Sequence, residues 1–416
     1  MINMFTTVFY IIIAILIFDF LLERLLNYLN STRWSNELPK ELHGIYDIDQ
    51  YKKSQDYYFE NQKLGLITSI LTFLILLLLL FFGGFSIVDG WARLLSGNSI
   101  FIAILFFGIL GFAMDIISTP FSLYDTFVIE EKYGFNKTTL KTFFLDKIKG
   151  WFLAAIIGGG LLALVVWFYE QTTNMFWIYT WILVSVFMIF MTMFYSTLIV
   201  PIFNKQTPLE EGGLRNAIQE LCKKVDFKLD NLYVIDGSKR STKANAYFSG
   251  LGAKKRIVLF DTLIEDLTQN EILAVLAHEI GHYKKKHTRT GIIISILQTG
   301  LTLFILSLFI GNPKLSGALG SGIPSFHLGL IAFGILYSPI STIIGLGMNF
   351  FSRKNEFQAD DFAKFNFNGE DLSSALKKLS VKNLSNLTPH PAFVFFHYSH
   401  PPLLERLKRL KEKNVD

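Results

Sequence analysis

Apolar residues gather into seven long runs, roughly 5–22, 64–86, 101–118, 151–169, 176–199, 291–311 and 326–348, separated by polar sequence. A helix rising about 1.5 Å per residue needs about 20 mainly apolar residues to cross a hydrocarbon layer about 30 Å thick. Each run is therefore predicted to span a membrane. The third is short and carries Asp115, which either marks a polar cavity between helices or reaches the interface from near a helix end. The first run has no basic stretch before it and no small-residue cleavage site ahead of Glu23-Arg24, so it reads as a span and not as a signal peptide. Gly158-Gly159-Gly160 in the fourth would let a neighbouring helix approach closely.

Between the runs the pattern changes. Segments 200–290 and 349–416 are polar and large enough to fold outside a bilayer, 23–63 is polar and 119–150 is amphipathic. Leu232-Tyr233-Val234-Ile235 and Arg256-Ile257-Val258-Leu259-Phe260 are β-branched and aromatic runs bounded by turn residues, hence strands, and Asn245-Ala246-Tyr247-Phe248-Ser249 is a third, short candidate. Thr268-Gln269-Asn270-Glu271 has the spacing of a capping box and opens a helix that runs through Ala277 into His278-Glu279-Ile280-Gly281-His282.

Composition sharpens this picture. Of the 416 residues 51% are hydrophobic and only 18% charged, against about a quarter charged in soluble proteins. That disfavours an ordinary soluble enzyme and excludes a disordered chain. A single cysteine, Cys222, rules out an internal disulfide and is most simply a packing residue. The net charge of +5 is too mild to argue for a nucleic-acid partner, but its distribution is telling. Segments 23–63, 119–150, 200–290 and 349–416 hold 6, 5, 15 and 11 Lys and Arg, whereas the alternate loops hold only Arg93 and Lys314. Basic residues stay cytoplasmic during insertion, which predicts an outer (lumenal or periplasmic) N-terminus and a cytoplasmic C-terminus, in the endoplasmic reticulum or a bacterial inner membrane. Four glycosylation sequons, at Asn30, Asn136, Asn383 and Asn386, then face the cytoplasm and stay unmodified. Lys284-Lys285-Lys286, just before the sixth span, reads as an anchor at anionic lipid in preference to a substrate-attracting patch.

The chemistry lies in the HExxH run. His278 and His282, four apart on a helix, stand on one face at a metal's width, and Glu279 is placed to take a proton from a water on that metal. Catalytic zinc needs a third protein ligand and an open position. His282 precedes the sixth span by 9 residues and Glu356 follows the seventh by 8. Because the two spans form a hairpin, both emerge on the same side, and Glu356-Phe357-Gln358-Ala359-Asp360 offers the ligand. Glu356 is expected to ligate with Asp360 buttressing a histidine; Asp360 or Asp361 as the ligand is the local alternative. His287 lies nine residues after His278, about two and a half turns along a continuous helix, and so off the ligand face, in an interfacial or supporting role. His43, His327, His390 and His397 read as ordinary side chains.

These residues resemble the type I CAAX prenyl proteases, integral-membrane zinc metallopeptidases that process isoprenylated proteins and the yeast a-factor pheromone. The resemblance is carried, over nearly the whole chain, by Glu131-Lys132-Tyr133-Gly134-Phe135-Asn136, by Pro201 through Leu209 (PIFNKQTPL) and by Gly237-Ser238-Lys239-Arg240-Ser241. It continues through Asn245 to Gly250 (NAYFSG), Lys255 to Leu263 (KRIVLFDTL), HEIGH extended to His287, Glu356 with Ala359-Asp360, and Ser399 to Leu407 (SHPPLLERL). It implies one zinc ion per chain held by His278, His282 and Glu356, with Glu279 as general base. It also implies that Asn245 and Ala246 lie on an edge strand gripping the substrate backbone, and that His400 and Arg406 line the site and stabilise the oxyanion. In that family seven helices enclose a water-filled chamber capped by the protease domain. The chain departs from the pattern where 264–270 is short in place of a long charged insertion, and where Tyr283 replaces a frequent Trp.

The expected fold is thus an all-α polytopic membrane protein of seven helices with a cytoplasmic zincin-like α+β metalloprotease domain. Residues 1–199 would supply spans one to five, 200–290 the HExxH segment, 291–348 the last hairpin, and 349–416 the segment completing the site. The expected activity is endopeptidase cleavage of prenylated proteins or related membrane-associated peptides, with membrane lipid the only other partner. An intramembrane protease of the site-2 type would put HExxH inside an apolar run, which three lysines argue against, and four-span heat-shock metalloproteases lack several of these spans. A seven-helix transporter or receptor with a non-catalytic zinc site would leave the capped HExxH and the distal Glu356 without purpose.

Overall fold

A computed structural model describes residues 6–229, 231–250 and 255–412; residue 5 of the first apolar run and residues 413–416 of the C-terminal segment lie outside them. Chain entry into the membrane part is helical throughout: α1 (Thr7–Ser31), α2 (Ile48–Phe81), α3 (Gly84–Leu95), α4 (Ser99–Tyr124), α5 (Leu140–Leu153), α6 (Gly159–Thr172), α7 (Phe176–Leu198) and the short α8 (Val200–Phe203). A mixed α/β part follows, with β1 (Gln206–Pro208), α9 (Gly213–Lys224), β2 (Leu232–Ile235), β3 (Ala246–Ser249), β4 (Arg256–Phe260), α10 (Asp261–Asp266) and α11 (Gln269–Lys284). Then come α12 (His287–Phe309), α13 (Pro313–Ala318), α14 (Phe326–Asn366), α15 (Gly369–Lys382), α16 (Pro391–His397) and α17 (Leu403–Lys411).

Among the described residues, five helical rods are long and apolar enough to cross a membrane: Ile48–Phe81, Ser99–Glu130, Leu140–Phe203, His287–Phe309 and Phe326–Asn366. The rod Leu140–Phe203 carries both the fourth and the fifth apolar runs, parted by a turn at Thr173–Met175 where Thr173 takes φ +43°. The first run forms α1. The second is not one helix. α2 begins far back in polar sequence, where the Asp47 side chain accepts from the Gln50 amide, and it ends at Phe81. Gly83 then adopts φ +64°, and a Cβ on Gly84 would fall 2.5 Å from Leu79 Cδ2, so the glycine pair makes a turn that larger residues would block.

The sheet has the order β1-β2-β4-β3. β2 and β4 run parallel, Leu232 opposite Ile257, while β3 lies antiparallel to β4 with Ala246 opposite Leu259. β3 is therefore an edge strand. Strand β1, antiparallel to β2, is one the sequence pattern did not foretell. Beneath the sheet, Ile218, Leu221, Cys222, Leu263, Ile272 and Ile280 form one buried core, and burial pushes the Cys222 thiol up to about 11, which suits a packing role.

The capping box forms as expected: Thr268 Oγ1 accepts from the Glu271 amide, and Glu271 accepts from the Thr268 amide at 2.8 Å. From that start α11 crosses α14 very closely. A Cβ on Gly281 would sit 3.0 Å from Phe362 Cβ and 3.1 Å from Ala359 Cα, so glycine sets the separation of the two helices. α14 is 41 residues long and carries the seventh apolar run and Glu356 on one continuous rod.

Candidate metal centre

Helix geometry brings His278 and His282 to one face of α11, their Nε2 atoms 3.2 Å apart. Glu356 arrives from α14 across the close crossing at Gly281, with Oε1 3.2 Å from His282 Nε2 and Oε2 3.4 Å from His278 Nε2. Among the described residues these three form a group whose possible ligand atoms all lie within 4.8 Å of one another. Glu356 is buried, and its Oε2 has no hydrogen-bond partner. A buried carboxylate with an orphaned oxygen facing two imidazole nitrogens fits a divalent cation of zinc's ligand preference.

Asp360, fully buried one turn along α14, lies behind this group. It accepts from His278 Nδ1 at 2.8 Å and from the Arg406 guanidinium at 2.6 and 2.8 Å. Burial lowers the affinity of His278 for a proton, yet Asp360 and Glu356 more than offset it and raise its pKa to about 9, so the pocket demands positive charge. Asp361 turns the other way, to Arg409 at 2.7 Å. Of the three carboxylates weighed as third ligand, only Glu356 faces both imidazole Nε2 atoms.

A cavity of about 360 Å³ opens over the group and is lined by Asn245, Ala246, His278, Glu279, His282, Glu356, His400 and Arg406 among others. The residues expected to ligate metal, catalyse or bind substrate all line this cavity, and Asp360, expected to support a histidine, stands behind it. His400 Nε2 is 3.3 Å from Glu356 Oε1, and its Nδ1 pairs with Ser399 Oγ at 2.9 Å. Arg353 on α14 holds the approach to His400 by donating to the Tyr398 carbonyl at 2.6 Å.

His287 is where the expectation of a continuous helix fails. The chain breaks after α11, Lys286 takes φ +62°, and α12 begins at His287. The break swings the ring back, so that Nδ1 lies 3.1 Å from His282 Nδ1 and Nε2 lies 2.9 Å from Gln358 Oε1. His287 thus supports His282 directly, which is one of the two roles expected for it, but it does so through a helix break and not along a continuous helix. His327 pairs with Asp89 at 2.7 Å, His390 caps α16 and His397 meets Glu23, all apart from the cavity.

Comparison with known proteins agrees with this arrangement. Residues 27–205 match the family model described as CAAX prenyl protease N-terminal, five membrane helices, and 208–414 match Peptidase family M48. The CAAX prenyl protease 1 homolog of Arabidopsis thaliana is 36% identical, covering 91% of this chain and 92% of its own length. CAAX prenyl protease 1 of Saccharomyces cerevisiae is 38% identical over 75% of this chain and 74% of its own. The crystal structure of S. mikatae Ste24p superposes with a TM-score of 0.93 at 33% identity, covering 98% of this chain and all of that one. The chain therefore belongs to the CAAX prenyl protease 1 family, membrane metallopeptidases of family M48.

Proposed function

We propose that His278, His282 and Glu356 hold one zinc ion per chain, and that the protein cleaves the C-terminal tripeptide from prenylated CAAX proteins or related membrane-associated peptides. The observation that carries this reading is the shared cavity: two α11 imidazoles, an α14 carboxylate with an orphaned oxygen, Glu279 and the β3 edge all face it. When bound, zinc polarises the scissile carbonyl and lowers the pKa of water.

The remaining chemistry belongs to the chain. Glu279 accepts the attacking water's proton and hands it to the leaving amine. Asp360 accepts from His278 Nδ1, which fixes the tautomer and leaves the Nε2 lone pair for the metal. Ala246 opens the edge strand directly after Asn245, and the strand's open side adds the substrate backbone as a further strand. His400 and Arg406 supply hydrogen-bond donors and positive charge to the oxyanion. Family membership counts against the transporter or receptor alternative. The seven apolar runs and the basic residues gathered in alternate loops support seven spans, an outer N-terminus, and a catalytic segment and C-terminus in the cytoplasm.

The test compares hydrolysis of one CAAX peptide, farnesylated and unmodified, by purified protein in detergent with and without a chelator. Chelator-sensitive cleavage that favours the farnesylated peptide is expected. Equal cleavage of both peptides would remove the preference for prenylated substrate, and cleavage indifferent to chelation would remove the metal.

A further inference from the structure

Two motifs take no part in the chemistry above: Glu131 to Asn136 (EKYGFN), after α4, and Gly237 to Ser241 (GSKRS), before β3. The structure joins them. The Lys137 amide donates to the Arg240 carbonyl at 3.0 Å and the Thr242 amide to the Phe135 carbonyl at 3.1 Å, an antiparallel clip centred on Asn136 and Ser241. Two cations bolt this clip to the membrane helices. Arg240 donates to both Asp146 oxygens on α5, at 2.8 and 3.0 Å, and to the Phe203 carbonyl at 2.8 Å. Lys243 Nζ donates to Glu130 Oε2 at 2.9 Å, at the end of the α4 rod, and to Tyr57 on α2 at 3.0 Å. It also lies 4.4 Å from the centre of the Phe135 ring.

Lys243 is two residues from Asn245. Its carbonyl accepts from Thr262 Oγ1 at 3.1 Å, and the Asn245 carbonyl accepts from the Phe260 amide at 3.1 Å. The start of β3 is thus fixed on one side by β4 and α10 and on the other by α2 and α4. An edge strand held only by its single neighbour is free to shift its far end, and a shift of one residue turns every side chain to the opposite face. We infer that Lys243 is a positioning residue: its ties to Glu130 and Tyr57 hold the β3 edge at one height over the metal group and so set which substrate bond is presented. This rests on the reading of Asn245-Ala246 as the substrate-gripping edge.

The test uses full-length protein in detergent with the farnesylated CAAX peptide, following kcat and KM separately and mapping the cleaved bond by mass spectrometry. Lys243→Met, which keeps the stem in its aromatic setting, is expected to raise KM roughly tenfold, about the worth of one misplaced hydrogen bond. It should also release fragments cut at neighbouring bonds, with kcat and zinc content near wild type. Lys243→Arg should restore one product. Glu130→Gln should reproduce the Lys243→Met pattern, with little further loss in the double variant. A lower melting temperature with unchanged KM and a single product would overturn the inference and leave Lys243 a purely structural cation. Ala246→Pro separates the two readings. If it impairs KM while Lys243→Met does not, only the positioning role fails; if Ala246→Pro is silent, the edge-strand reading fails and this inference falls with it.

Discussion

Gly281→Ala sets two physical effects against each other at the crossing that brings His278, His282 and Glu356 together. In the middle of a helix, alanine is favoured over glycine by about 1 kcal/mol. Here the new methyl would lie 3.0 Å from Phe362 Cβ, 3.1 Å from Ala359 Cα and 3.2 Å from the Ala359 carbonyl oxygen, so α11 and α14 must part by a few tenths of an ångström. Overpacking of this kind costs about 1–3 kcal/mol, leaving a net loss of roughly 0–2 kcal/mol once the propensity gain is set against it. Stability should barely move. The site is less tolerant, because His278 and His282 ride on one helix and Glu356 on the other, so a parting of a few tenths of an ångström uses up most of the roughly 0.5 Å within which such a constellation works. Zinc affinity and kcat/KM are therefore expected to fall about tenfold or more, with a melting temperature within a few degrees of wild type. The assay is a zinc titration of chelated protein against peptide turnover, with Gly291→Ala as control, since a Cβ there meets nothing within 4 Å. Wild-type zinc affinity and turnover in Gly281→Ala would refute the claim that this crossing distance holds the ligands.

Glu279→Gln should retain stoichiometric zinc and lose about 10²–10⁴-fold in kcat, as measured by elemental analysis and peptide hydrolysis on one preparation. Asp360→Asn removes the charge facing both His278 and Arg406, and a buried guanidinium left without its partner costs about 3–5 kcal/mol. A lower melting temperature and a raised zinc requirement should both appear, and either one alone would mean that the aspartate serves only one of its two partners. Glu271 gives a pH signature outside the membrane: burial raises its pKa, but bonds from Lys378, Ser374 and Thr268 outweigh this and hold it at about 2. The folded value lies below the unfolded one of about 4.3, so this stabilisation is complete above that pH and drains away as pH falls toward 2. Glu271→Gln should cost about 1–2 kcal/mol at neutral pH, the figure held low because half of Lys378 is in solvent, and nothing in strong acid. Melting curves across pH check the convergence.

What the sequence disclosed, and what it hid, follows from how far each inference had to reach. The histidine pair needed only helical spacing, and Glu356, though 74 residues beyond His282, followed from the parity of two spans. Both arguments survive small errors in boundaries. Strand β1 escaped because Gln206-Thr207-Pro208 is too short to show alternation, and the parallel β2–β4 pairing has no local signal. Lys243 and Glu130 are 113 positions apart, and nothing near either one names the other. For His287 the supporting role was legible and the path of the chain to it was not. Lys284-Lys285-Lys286 are all good helix formers, so nothing in the sequence marks the loss of helical phase there. One residue in the left-handed region, Lys286, resets the phase and turns a ring expected off the ligand face back onto His282. That conformation is uncommon for a side chain other than glycine, asparagine or aspartate. The interactions that enforce it lie in the packing: α12 leaves along α7 while His287 stays bonded to Gln358 on α14. Local propensity and tertiary contact disagree at this junction, and such disagreements are expected beside a functional site. The break between α11 and α12 is thus part of how the His278–His282–Glu356 cluster is built, because it supplies His282 with the support that a straight helix would have carried away.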